Sequence, residues 1–189
     1  MGPLMLLLAA AETPPVNPLR DQQYAILDKA LARKDYETIA ATVRKPRVER
    51  ELWANLDWLG ERWRGGETAL VPILYSTALW QVSEGLPAQE RDDLRGTAAA
   101  ALIYAYAVTF VDGSRCGDRS APAHRRDQAM GLIPDFWKEV RAYPLERRKQ
   151  IAWIALAVEQ QTANTRDAKG DVEFMCRFGM EETAYNLKH

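Results

Sequence analysis

The chain has 189 residues, 47% of them hydrophobic, and a formal net charge of -1. That length and apolar content suffice to fill one core, so a single domain is expected. The balanced charge, and the lack of a basic run interleaved with aromatics, argue against nucleic acid as a partner.

At the N-terminus, the apolar run Leu4 to Leu8 precedes Ala9 and Ala11, the small residues of an A-x-A cleavage site. Residues 1–11 therefore read as a secretory signal peptide cleaved after Ala11, which implies a periplasmic or secreted protein. No Lys or Arg precedes Leu4, so only the terminal amine supplies the positive n-region. The alternative is an apolar tail or a helix packed on the domain. Residues 12–17, with Pro14 and Pro15, make an extended leader, and residues 18–189 a single α-helical domain.

Asn17-Pro18 supplies a cap and a first-turn proline, and Leu19, Tyr24, Ile26, Leu27, Ala30 and Leu31 give the following helix a broad apolar face. A turn near Lys34-Asp35 leads to a second helix with Tyr36, Ile39, Ala40 and Val43 inward. The fragment Ala30 to Glu37 resembles the inter-helix turn of a tetratricopeptide repeat, over less than one unit and with no second copy at a period of about 34 residues. It implies helical-hairpin packing, not a peptide-binding array. Pro46 is expected to open a third helix carrying Leu52, Leu56, Leu59 and Trp63 in one stripe. Trp53 and Trp58 flank that stripe. Tryptophans at helical spacing favour a core over an aromatic binding surface. After Gly65-Gly66, Thr68 is the candidate cap of a fourth helix that ends near Gly85.

The central element follows, a helix over about 90–111. Thr97 to Val111 contains no charged residue, so this helix is apolar on every face and expected to be buried. Fifteen uncharged residues fall short of the ~20 that span a bilayer, so no transmembrane span is expected. Asp112 then sits at the negative pole of the helix and needs a cation, for which Arg115 and Arg119 are near in sequence. Gly113 is the expected left-handed stop. Beyond Pro122 come a basic stretch, a break at Pro134 and another at Tyr143-Pro144. A second apolar helix over about 145–162 is expected to be central too, because Ile151 to Val158 is apolar on all sides. Asp171 caps a last helix on which Cys176 and Gly179 share a face. With no alternating β-branched run, the fold class is all-α, a single bundle of about seven or eight helices.

Export makes Cys116 and Cys176 a disulfide, the one pairing two cysteines allow. It closes a loop of about 60 residues, worth roughly 4 kcal/mol in the chain-entropy model. In a reducing compartment the two would instead be buried thiols.

The segment from Asp112 to Pro122 holds more charge than a connector needs, and the candidate ligand- or partner-binding residues are Asp112, Arg115, Asp118, Arg119, Ser120, His124 and Arg125. Structural pinning of the loop by Asp–Arg pairs is the plainer reading; binding of a phosphate or carboxylate by the arginines is the functional one. A Cys116-Asp118-His124 nucleophile conflicts with the disulfide. A metal on Asp112, Asp118 and His124 would be repelled by the surrounding arginines, and no cofactor is indicated. The functional expectation is an exported interaction protein such as an adaptor, an inhibitor or an envelope-assembly component. The alternative is a small hydrolase or anionic-ligand enzyme at 112–124, with Glu159 as a buried acid.

Overall fold

Nine α-helices and one 3-10 turn make up the described residues of the computed structural model, which are 18–177, 179 and 180. The signal and leader expectations for residues 1–17 fall outside them. No strand occurs among the described residues, and the architecture is an all-α bundle.

The helices are α1 (Pro18–Ala32), α2 (Tyr36–Arg44), α3 (Glu49–Arg64), α4 (Leu70–Ser83), α5 (Ala88–Asp112), α6 (Ser120–Gly131), α7 (Phe136–Ala142), α8 (Leu145–Lys169) and α9 (Glu173–Cys176). The count exceeds expectation because the break around Pro134 separates α6 from α7. The first four helices form local hairpins. Lys34 takes a positive φ of 55° at the α1–α2 turn, and Asp35 caps α2 by accepting from the Thr38 amide at 3.0 Å.

Three boundary expectations are corrected. Helix α3 begins at Glu49 rather than Pro46, and Val48 occupies its cap position. Thr68 does not cap α4 through its side chain; Ala69 holds the cap position, and the Thr68 hydroxyl is buried without a hydrogen-bond partner. Gly113 is not left-handed. Its φ of -61° carries the chain straight from α5 into a 3-10 turn, Gly113–Arg115, which ends at Cys116.

Helix α5 is the core element, as its composition predicts. Ala98, Ala99, Ala100, Ala101 and Leu102 are fully buried, and small side chains let α4 pack against α5 more extensively than any other pair of helices. By length and composition residues 88–115 could cross a membrane, but here α4, α6 and α8 pack against this helix and cover much of its apolar surface, while Tyr106, Phe110 and Val111 near its end stay exposed.

Helix α8 departs from expectation. It buries one stripe, Ile151, Ala155, Val158, Thr162 and Arg166, while Trp153, Ile154 and Leu156 face solvent. Among the described elements, α5 packs on its apolar middle most and α3 far less, which leaves that middle two-sided. Helices α5 and α8 run parallel. Arg147 near the start of α8 meets Asp92 and Asp93 near the start of α5, and Arg166 near its end meets Asp112 at the end of α5. Helices α6 and α7 provide the return crossover.

Candidate functional site

Asp112 lies at the C-terminus of α5, where the aligned peptide carbonyls disfavour a carboxylate. The cation that offsets it is Arg166, not the nearer Arg115 or Arg119. Arg166 Nε donates to Asp112 Oδ2 at 2.9 Å, and Nη2 donates to Glu159 Oε1 at 3.0 Å. Nη1 donates to the hydroxyls of Thr162, at 2.7 Å, and Tyr104, at 3.3 Å. The Thr162 hydroxyl in turn donates to the Val158 carbonyl at 2.7 Å and lies 2.9 Å from the Tyr104 hydroxyl. Asp112 and Arg166 are both buried. Burial alone would lower the Arg166 pKa, but Tyr104, Glu159 and Asp112 outweigh it and hold it above the ordinary value of an arginine. Burial raises the Tyr104 phenol, with Thr162 and Arg166 opposing.

A cleft of about 430 Å³ opens over this network, between the α1–α2 turn, the α3–α4 loop and the ends of α5 and α8. Its other cations each face an acid. Lys34 meets Glu173 at 2.8 Å and Asp171 at 3.3 Å, Arg62 meets Asp28 at 2.6 Å, and Lys169 pairs with Glu67. Arg115 reaches only the exposed Asp167, at 3.4 Å. Matched charges of this kind act as an ion-paired seam between helices, and they leave no surplus charge to attract a ligand.

The predicted site residues do not converge. Only Asp112 and Arg115 line the cleft. Asp118 accepts from the Ser120 amide at 2.8 Å and from its hydroxyl at 2.6 Å, which shapes the entry to α6, while Ser120 Oγ accepts from the Met180 amide at 2.7 Å. Arg119 lies with Phe110 and Ser114 in a separate recess. His124 is exposed beside Gln128, at 2.9 Å. Arg125 stacks on Phe174, 4.6 Å from the ring centre, and donates to its carbonyl at 3.0 Å. Glu159 is engaged by Arg166, so it, Asp118 and His124 each serve a different local structure.

Cys116 and Cys176 form a disulfide with Cα atoms 5.2 Å apart, which ties the loop after α5 to α9. That bond leaves no thiol for a nucleophile at Cys116. Gly179 lies beyond α9, not on one helix face with Cys176, but its backbone packs close: a side chain there would run into the Asp118 carboxylate.

Sequence reasoning missed Arg166. The signal was present, since Val158, Thr162 and Arg166 continue the i, i+4, i+8 stripe begun by Ile151 and Ala155, so a basic residue on the buried face required an acidic neighbour.

The other conspicuous feature is an apolar outer surface. Trp153 on α8 is 66% exposed and Phe110 on α5 is 68% exposed. Ile154, Leu156, Tyr106 and Val111 are exposed on the same two parallel helices. Arg126 hovers 5.5 Å from the ring centres of both Tyr106 and Phe110, a cation framed by aromatics. No protein-family model, curated protein or solved structure gives a significant match to this chain.

Proposed function

We infer that this chain is an exported α-helical interaction protein that holds a protein partner on the outer surface of α5 and α8. The observation that carries this reading is the exposure of Trp153, Ile154 and Leu156 along α8 and of Tyr106, Phe110 and Val111 towards the end of α5. Large apolar side chains gathered on adjacent helices mark interaction sites in soluble proteins, and aromatics supply most binding energy at such surfaces. The disulfide supports export, because such bonds persist in oxidising compartments. The alternative, a hydrolase or anionic-ligand enzyme built on residues 112–124, has less support, since those residues serve separate local structures and Cys116 is bonded.

Two measurements test the reading. Intact mass of protein expressed in a bacterium with a periplasm, with and without reduction before alkylation, should lack Met1 to Ala11 and show thiols only after reduction. A photo-crosslinking residue at position 153 or 110, but not at exposed position 84, should then give one adduct of discrete mass. A full-length mass with free thiols would sink the export claim. Equal crosslinking at all three positions would sink the docking surface.

A further inference from the structure

A second cavity, of about 470 Å³, lies on a different side of the bundle, between α2, α4, α6 and α9. Its size is in the range of roughly 300–1,000 Å³ typical of small-ligand sites. Leu70, Ile73 and Leu74 of α4 and Phe174 of α9 form an apolar floor. Arg44, the last residue of α2, and Arg125 line the polar side, and no carboxylate contributes to the lining. Arg125 is committed to the Phe174 carbonyl and to Gln128. Arg44 makes no hydrogen bond or ion pair with any described residue, and it is exposed at the mouth. The contrast with the ion-paired cleft is sharp: there every cation meets an acid, whereas here a guanidinium stands unmatched at the edge of apolar surface.

We propose that this cavity binds a monomeric medium-chain alkyl carboxylate, with the alkyl chain on Leu70, Ile73, Leu74 and Phe174 and the carboxylate paired with Arg44. An apolar floor gains from each methylene withdrawn from water, by a factor of about four in affinity per methylene. A planar guanidinium pairs with a carboxylate through two parallel N–H···O bonds, which a neutral alcohol cannot match. Gly131, at the end of α6, lines the same cavity, and a Cβ built there meets nothing within 4 Å. A large side chain at that position can therefore enter the cavity without forcing the backbone.

The test is isothermal titration of the full, disulfide-intact chain with hexanoate, octanoate, decanoate and decanol, all below their micelle concentrations. Affinity should rise about fourfold per methylene along the acids, and decanoate should bind about tenfold tighter than decanol. Arg44→Gln should remove the preference for decanoate and leave decanol unchanged, with an unaltered melting temperature. Gly131→Trp should block both ligands without lowering the melting temperature. The proposal is overturned by an absence of saturable binding, by affinity independent of chain length, by equal binding of decanoate and decanol, or by Arg44→Gln having no effect. Binding confined to vesicles containing anionic lipid would also overturn it, and would assign Arg44 to a membrane surface instead.

Discussion

Two arginines, Arg115 and Arg166, show how burial decides the worth of an ion pair. Arg115 meets an exposed Asp167 at 3.4 Å, and exposed pairs contribute about 0–1 kcal/mol, so Arg115→Ala should leave the urea midpoint nearly unchanged. Arg166 is buried between Asp112 and Glu159. Arg166→Ala strands the Asp112 carboxylate in the core and should cost about 3–5 kcal/mol, measured by urea denaturation. The double variant Asp112→Leu with Arg166→Met should recover much of that loss, because it removes both charges; a double variant no better than Arg166→Ala alone would show that the network does more than neutralise charge. The need of Asp112 for a cation was legible in the sequence from its place at a helix C-terminus. Which cation answered was not. The partner lies 54 positions away, and local spacing cannot register two helices that meet only through a crossover.

Among the elements, α5 and α8 carry similar apolar runs and meet different fates. The uncharged stretch of α5 predicts burial on every face; α4, α6 and α8 deliver it from Ala98 to Ala105, while Tyr106, Phe110 and Val111 stay exposed. The run in α8 predicts the same, but among the described residues one face is buried and Trp153, Ile154 and Leu156 are exposed, because the number of neighbours a helix acquires is set by the whole topology and not by its own composition. The two outcomes separate in mutagenesis. Trp58 in α3 is fully buried, with its indole N–H donating to Asp28 Oδ1 at 2.8 Å, and Trp58→Ala should cost about 3–5 kcal/mol. Trp153→Ala should stay within about 0.5 kcal/mol of the parent while weakening the crosslink formed from position 110. A large stability loss at Trp153 would mean that its exposure is not that of the folded chain in solution. The same scale governs the disulfide, whose pairing the sequence indicated from two cysteines alone. Replacing both Cys116 and Cys176 with serine should cost about 2–5 kcal/mol, with hydrogen-exchange protection lost first in the loop 113–119 and in α9. The loop's apparent concentration of chemistry dissolves for a related reason: side chains consecutive in sequence leave a 3-10 turn and a helix entry in different directions, so Arg115, Arg119 and Arg125 end on separate surfaces.

For the molecule as a whole, protonation sets a window of stability. Hydrogen bonds from Thr38, Arg47 and Lys34 hold the carboxyls of Asp35, Glu51 and Glu173 below their ordinary values of 3.8, 4.5 and 4.5. The unfolded chain then binds more protons than the folded one as pH falls through those values, so this stabilisation is complete above them and lost below. Burial raises the phenols of Tyr75, Tyr104 and Tyr143, and pushes Tyr36 up to about 12. Above the ordinary value of 10.0 the folded chain retains protons that the unfolded chain releases, so stability falls again on the alkaline side. Melting temperature against pH should show a plateau with both shoulders. Glu51→Gln should lower the plateau and shallow the acid limb while leaving the alkaline limb in place; an acid limb of unchanged slope would remove Glu51 from the account.

The bond between Cys116 and Cys176 also imposes a schedule. As the chain emerges, whether from a ribosome or through a translocation pore, Cys116 appears 60 residues ahead of its partner, a wait of several seconds at about 5–20 residues per second. With only two cysteines in the sequence, no wrong pairing exists within one molecule. The misstep that joins two protein chains is Cys116 pairing with a second copy, so faulty maturation should yield a covalent dimer whose share rises with expression level, and slowing synthesis should suppress it.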